Sequence, residues 1–219
     1  FDEIVKHFLV FLQKNTGRAT MKLERVITMK IETQCLHAGY TPGNGEPLTL
    51  PIYQSTTYKY ESTAQVAKLF DLTADGHMYS RISNPTVAAV EAKIAALEGG
   101  VGALCTTSGQ AASLISVLNI LSCGDHILCT STIYGGTINL FAVTLKRFGI
   151  EVSFVDADAS EEELKKQLRP NTKAVFAETI ANPAIAVLDI EKMAHVAHSH
   201  GVPLIVDNTF MSPYSLPPI

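Results

Sequence analysis

HILCTSTIYGGTINLFAVTLKRFGIEVSFVD, residues 126–156, decides the fold. HILCT and EVSFVD are short, largely apolar runs. Between them, TINLFAVTLKRFG carries its apolar residues at helical spacing and stops at Gly149. The same alternation continues on both sides. Toward the C-terminus come SEEELKKQL, with Ser160 and Glu163 in capping-box register, the strand KAVFAET, the helix DIEKMAHVAHSHG and the strand PLIVD. Toward the N-terminus, QAASLISVLNILSCG reads as a buried helix ending at Gly124, preceded by the strand-like VGALCT. Before that, Asn84 and Pro85 form an N-cap and first helical position, Val87, Val90, Ile94 and Leu97 recur at helical spacing, and Gly99 closes the helix. Strands that are nearly all apolar and alternate with helices argue for an α/β fold, a mostly parallel sheet with helices on both faces.

Residues 84–219 therefore read as one large α/β domain, preceded by a less regular arm over 29–83. Residues 1–28 stand apart. FDEIVKHFLVFLQKNTGRAT has none of the later punctuation, so either Met21 or Met29 is a natural start, or Ile4, Phe8, Phe11 and Leu12 form an amphipathic arm.

At 219 residues and 47% hydrophobic content the chain can bury a substantial core. A net charge of −4 gives no electrostatic footprint for nucleic acid, and the basic pairs Lys146–Arg147 and Lys165–Lys166 read as solvated helix faces. Cys35, Cys105, Cys123 and Cys129 show no CxxC spacing, which fits a reducing compartment. The apolar run Phe8–Leu12 is too short for a signal-peptide core or a membrane span. A soluble, cytoplasmic protein is expected, with no nucleic-acid or membrane partner.

In parallel sheets, ligands sit beyond the carboxyl ends of the strands. The residues there are Thr107-Ser108-Gly109-Gln110 after VGALCT, Tyr134-Gly135-Gly136 after HILCT, Asn182-Pro183 after KAVFAET, and Asp207-Asn208-Thr209 after PLIV. The amides of Gly109 and Gln110 open a helix at Ser108 and suit an oxyanion, although such a Ser-Gly start, standing alone, is more often just a cap. The helix dipole contributes only about 0.3–1 kcal/mol at an exposed site, so a phosphate would also want a guanidinium. MYSRISNPT offers Arg81, with the Tyr79 hydroxyl beside it. Other chemistries fail on inspection. GGVGALC lacks the third glycine of GxGxxG and precedes its strand, there is no GxxxxGK[ST], and TTSGQ lacks the first glycine of GxSxG. His195, His198 and His200 cluster near a helix end without HExxH spacing, so no metal site is expected.

YSRISNPT, TTSGQAA, IYGGT, ETIANP and VDNTF, in that order, resemble the pyridoxal-phosphate enzymes of cysteine and methionine metabolism, the transsulfuration family. The resemblance runs from about Glu32 to Pro213, which is roughly the first half of a full-length family member. It implies the aspartate-aminotransferase-like fold (fold type I), here the large domain in truncated form, with pyridoxal 5'-phosphate as cofactor. It also implies roles. Asp207 would pair with the protonated ring nitrogen and keep the ring an electron sink. Tyr134 would stack on the ring and move protons, and Asn182 would bond the ring oxygen. Ser108, Gly109, Gln110 and Thr209 would lie in the phosphate and ring shell. Tyr79 and Arg81 would reach the phosphate of a neighbouring subunit, giving shared sites in a homo-oligomer, a homotetramer built as a dimer of dimers. Glu178, in ETIANP, has only a supporting place.

Within the family, ETQCLHAGYTPGNGEPLTLPIYQSTTY and IYGGTINLFAVTLKRFGIEVSFVD (133–156) are most similar to O-acetylhomoserine sulfhydrylases. These replace the acetoxy group of O-acetyl-L-homoserine with sulfide, giving homocysteine and acetate. Methionine γ-lyases typically carry a cysteine two residues after the stacking tyrosine, where this chain has Gly136. Cystathionine γ-synthase and γ-lyase remain alternatives. The pattern departs from the family in one respect. The Schiff-base lysine belongs some tens of residues beyond Asp207, yet Lys192 is the last lysine here. That lysine also removes the α-proton, so the expectation is an N-terminal fragment that is not competent alone. The alternative of another class is a non-catalytic dimerising remnant.

Overall fold

A computed structural model of the chain describes residues 8–11 and 29–219. The alternatives raised for the rest of 1–28, Met21 as a start and an arm using Ile4 and Leu12, lie outside the described residues. The strands are β1 (Phe8–Phe11), β2 (Gly102–Cys105), β3 (His126–Thr130), β4 (Glu151–Val155), β5 (Thr172–Glu178) and β6 (Leu204–Asp207). The helices are α1 (Ile31–His37), α2 (Thr63–Phe70), α3 (Pro85–Glu98), α4 (Gly109–Ile120), α5 (Gly135–Asn139), α6 (Glu161–Gln167) and α7 (Ile190–Ser199). Two compact units divide the described residues, one mainly Thr106–Pro218 and the other mainly Val10–Cys105.

The larger unit holds a four-stranded sheet in the order β4-β3-β5-β6, parallel throughout. Side chains alternate across it, as the pleat requires. On one face Ile127, Cys129, Ala174 and Phe176 pack with Val117 of α4 and with Phe141 and Leu145. On the other, Leu128, Val175 and Ala177 pack with Leu164 of α6 and with Met193, Val196 and Ala197 of α7. The doubly covered parallel sheet expected from the alternation is therefore present. Each fully buried Phe, Leu or Ile contributes about 1.5–3 kcal/mol, and Phe141 meets Phe176 edge to face at 4.9 Å.

Local signals carry over closely. Ser160 caps α6 with the complete capping box to Glu163, Asp189 caps α7, and Asn84 caps α3 with Pro85 behind it. Gly99 ends α3 at φ 72°, a conformation open to glycine without penalty.

Three features differ from expectation. VGALCT does form a strand, β2, but it stands outside the four-stranded sheet, in a two-stranded sheet with β1. Leu104 is exposed, and β2 shares neither core. On α3, Val87 and Val90 stay exposed while Ala95 and Glu98 are buried, so its apolar stripe is not its packed face within that unit. Finally, α5 runs into a π-helical turn over Leu140–Leu145, which places Phe141 and Leu145 in the core.

The amino-terminal edge of the sheet carries a buried polar knot. His126 is fully buried, its Nδ1 2.8 Å from Thr172 Oγ1 and its Nε2 3.0 Å from Ser153 Oγ. Arg169 donates to Ser153 Oγ at 2.9 Å and pairs with Glu151. Burial, aided by the Arg169 charge and opposed by Glu151, brings the imidazole down to about 4.

Candidate active site

The carboxyl ends of β3, β5 and β6, together with the start of α4, carry most of the predicted residues of the larger unit. Asp207 ends β6, in register with Glu178 at the end of β5. Its Oδ1 accepts the Thr209 N–H at 3.0 Å and the Thr209 hydroxyl. Oδ2 has no hydrogen bond among the described residues and is left to accept from a cation. The next residues brace it: Thr179 N–H donates to the Asp207 carbonyl at 3.0 Å, and Thr179 Oγ1 donates to Asn208 Oδ1 at 2.8 Å.

Ser108 is the N-cap of α4, its hydroxyl accepting the Ala111 N–H at 3.1 Å. Gly109 and Gln110 keep their N–H groups without an acceptor among the described residues, at the positive end of a twelve-residue helix. Gln110 ties this helix to the next one, because its Nε2 donates to buried Thr137 Oγ1 at 3.0 Å.

Tyr134 is the N-cap of α5, and 48% of the residue is exposed. A Cβ added at Gly136 would lie 2.4 Å from Tyr134 Cε1, so the ring occupies the room that glycine leaves. The Tyr134 N–H donates to Glu178 Oε2 at 2.6 Å. Burial raises the Glu178 carboxyl to about 7; that hydrogen bond pulls the other way, and the Asp207 charge adds to the rise. Asn182 is exposed and follows Glu178 by four residues, just before a cis bond to Pro183. Thr209 spends its hydroxyl on Asp207, not on an open anion position.

Tyr79 and Arg81 belong to the other unit, where Arg81 Cζ lies 4.9 Å from the Tyr79 ring centroid. Arg81 is exposed and forms no ion pair among the described residues. Asn84 organises their loop: its Nδ2 donates to Tyr53 O and Ser80 Oγ, each at 3.0 Å, while its Oδ1 accepts the Thr86 N–H at 2.9 Å.

Two residues that sequence reasoning undervalued are Glu178 and Thr137. Glu178 had a visible signal, an acid closing an apolar strand as Asp207 does. Its grip on the Tyr134 amide depends on which strands are neighbours, which the sequence does not state. The clustered histidines are engaged separately. His200 Nε2 lies 2.9 Å from Arg169 O, and His195 lies 3.8 Å from Glu161. Cys129 is fully buried and its thiol is raised well above its usual range by burial, and burial raises Cys105 to about 11. Neither is a ready nucleophile.

The donor set fits a pyridoxal phosphate. It offers a free carboxylate oxygen for a protonated ring nitrogen, two free amides at a helix start for a phosphate, and an exposed aromatic between them in the chain.

Comparison with known proteins agrees. Residues 32–219 match the family model for Cys/Met metabolism PLP-dependent enzymes. The O-acetyl-L-homoserine sulfhydrylase of Corynebacterium glutamicum is 48% identical over 81% of this chain and 41% of its own length. The O-acetyl-L-homoserine sulfhydrylase 1 of Thermus thermophilus is 47% identical over 87% of this chain and 46% of its own. A Campylobacter jejuni structure named for O-acetylhomoserine (thiol)-lyase, carrying N'-pyridoxyl-lysine-5'-monophosphate, superposes with a TM-score of 0.82 at 40% identity, over 87% of this chain and 47% of that one. The cystathionine gamma-lyase of Lactobacillus plantarum, complexed with L-serine, gives 0.76 at 37% identity, over 87% and 47%. The chain thus spans a little under half the length of these relatives. It belongs to the Cys/Met metabolism PLP-dependent enzymes.

Proposed function

We propose that the protein containing this chain is an O-acetylhomoserine sulfhydrylase, replacing the acetoxy group of O-acetyl-L-homoserine with sulfide to give L-homocysteine and acetate. One observation carries the reading: the free Asp207 oxygen, the unpaired Gly109 and Gln110 amides and the exposed Tyr134 all belong to one compact unit. The choice within the family is supported by the names of the relatives at 48% and 47% identity. Gly136 supports it too, since the cysteine typical of methionine γ-lyases would meet the Tyr134 ring there.

Bound pyridoxal phosphate would supply an electron sink for a substrate carbanion. The residues of this chain hold and tune it. Asp207 keeps the ring nitrogen protonated, because a carboxylate within reach of a cation favours the charged form. Gly109 and Gln110, through their amides, would hold the phosphate, with Ser108 capping the helix that presents them, while Thr209 would act through the Asp207 carboxylate it bonds. Asn182 would donate to the ring oxygen. Tyr134 would stack on the ring and serve in proton transfer. Tyr79 and Arg81 complete the phosphate site of a neighbouring subunit, making the enzyme an oligomer with shared sites, a dimer of dimers in the cytoplasm. The Schiff-base lysine is assigned to the part of the protein outside this chain. Lys192 is committed elsewhere, donating to Ala157 O at 2.7 Å and Ala159 O at 3.2 Å.

The test is an assay of the full-length protein loaded with pyridoxal phosphate and given O-acetyl-L-homoserine and sulfide. Homocysteine and acetate in equal amounts are expected. Release of a 2-oxo acid and ammonia without homocysteine, or product only when cysteine replaces sulfide, overturns the reading in favour of a lyase or a cystathionine synthase.

A further inference from the structure

We propose that Glu178 is a positioning residue: from the buried end of β5 its carboxylate holds the Tyr134 backbone N–H and fixes the turn that presents the exposed Tyr134 side chain. The inference rests on the proposed role of Tyr134 and extends it to a residue outside the cofactor shell.

The geometry is that of a latch. Tyr134 is gripped on both sides of its peptide unit. Its carbonyl accepts the Thr137 and Ile138 N–H groups at 2.8 and 3.0 Å, as an N-cap should. Its own N–H turns the other way, to Glu178 Oε2 at 2.6 Å. That distance is short even for an amide bonding a charged acceptor. The Tyr134 side chain contributes nothing to the cap and is largely free. Glu178 is only 6% exposed and forms no ion pair among the described residues. An acid buried without a counter-ion normally costs stability, so its retention beside one backbone amide calls for a purpose.

Titratable groups surround the carboxyl from every packed element. Asp207 lies in register on β6, Cys129 on β3, and Asp156 and Asp158 follow β4. Lys192 of α7 is tied to the carbonyls beside those two acids. Glu178 shares a cavity of about 20 Å³ with Asp156 and Asp158, room for about one water. Burial, with Asp207 adding, brings its titration to about 7, so the latch changes strength near neutrality. A cation placed against Asp207 removes part of that push and favours the ionised, stronger latch.

The experiment follows the Tyr134 amide by NMR in the full-length protein, labelled with 15N-tyrosine and free of cofactor. The resonance missing from Tyr134→Phe identifies it. Expected is a titration of this amide with a midpoint near 7, which moves lower on loading pyridoxal phosphate. Glu178→Gln, which keeps a carbonyl acceptor, abolishes the titration and retains slow amide exchange. Glu178→Ala speeds exchange about tenfold, the loss of one hydrogen bond. Should Glu178→Ala not fold, the Glu178→Gln titration decides alone. A titration unchanged in Glu178→Gln, or exchange unchanged in Glu178→Ala, overturns the proposal. If the amide behaves as expected but no homocysteine forms, the latch stands and the proposed activity falls. If homocysteine forms while the amide ignores Glu178, only the latch falls.

Discussion

We propose that Asp207 and Arg81 divide the work of a cofactor site between tuning and holding, a division that their environments support. Asp207 has one oxygen committed to Thr209 and one free, so its orientation is fixed before any ligand arrives. Removing a preorganised charge of this kind lowers turnover on the order of a hundredfold, and Asp207→Ala in the full-length enzyme should do so. Arg81, exposed and stacked on Tyr79, would hold a phosphate by its charge. Arg81→Ala should weaken cofactor retention by about tenfold to a hundredfold with a smaller change in turnover of the saturated enzyme. Equal cofactor loss in both variants, measured by equilibrium dialysis, argues against the division. Asp207 was legible in the sequence because it closes an apolar strand, a position that can be counted along a chain, whereas Arg81 was singled out only as the guanidinium within YSRISNPT. Glu178 was only half legible: its place at a strand end is local, but its partner lies 44 residues away.

At the scale of elements, capping residues and short, nearly all-apolar runs alternating with helical spacing announced α3, α6, α7 and the four parallel strands, because those signals act within a few residues. The π-helical turn of Leu140–Leu145 was invisible: TINLFAVTLKRFG is compatible with an ordinary helix, and the extra width is decided by what Phe141 and Leu145 must reach. The sheet membership of β2 was equally hidden, since a strand's neighbours depend on long-range pairing. The turn that starts α5 yields a prediction. Gly136 faces the Tyr134 ring so closely that a Cβ would sit 2.4 Å from Cε1 and 3.1 Å from Cδ1. The ring is the movable partner, so Gly136→Ala should leave the fold intact and swing Tyr134 from its place. The readout is an altered Tyr134 ring environment with a melting temperature close to the parent's; an unchanged ring environment would count against the contact.

Across the whole larger unit, two buried titratable groups sit at opposite ends of the same sheet with opposite effects on stability. His126, at the amino ends, is held neutral: its pKa falls from the ordinary 6.5 to about 4. Its contribution is complete above pH 6.5 and is lost as pH falls from 6.5 toward 4, because the unfolded chain takes up a proton the folded one refuses. Glu178, at the carboxyl ends, rises from 4.5 to about 7. Its contribution is complete below pH 4.5 and is lost as pH rises from 4.5 through 7. Each corresponds to on the order of 3 kcal/mol. Between pH 4.5 and 6.5 the folded pair carries one proton, on Glu178, and the unfolded pair also carries one, on His126, so their slopes cancel. Substituting either one unmasks the other. Glu178→Gln should make unfolding free energy climb with pH relative to the parent by about 1.4 kcal/mol per pH unit in that interval, and His126→Gln should make it decline by about as much. Glu98, also raised by burial, acts in the direction of Glu178 but is common to parent and variants. Urea unfolding at pH 5 and pH 6 measures the difference in slope directly. Stability curves of the two variants running parallel to the parent would show that neither His126 stays neutral nor Glu178 stays protonated as their burial requires.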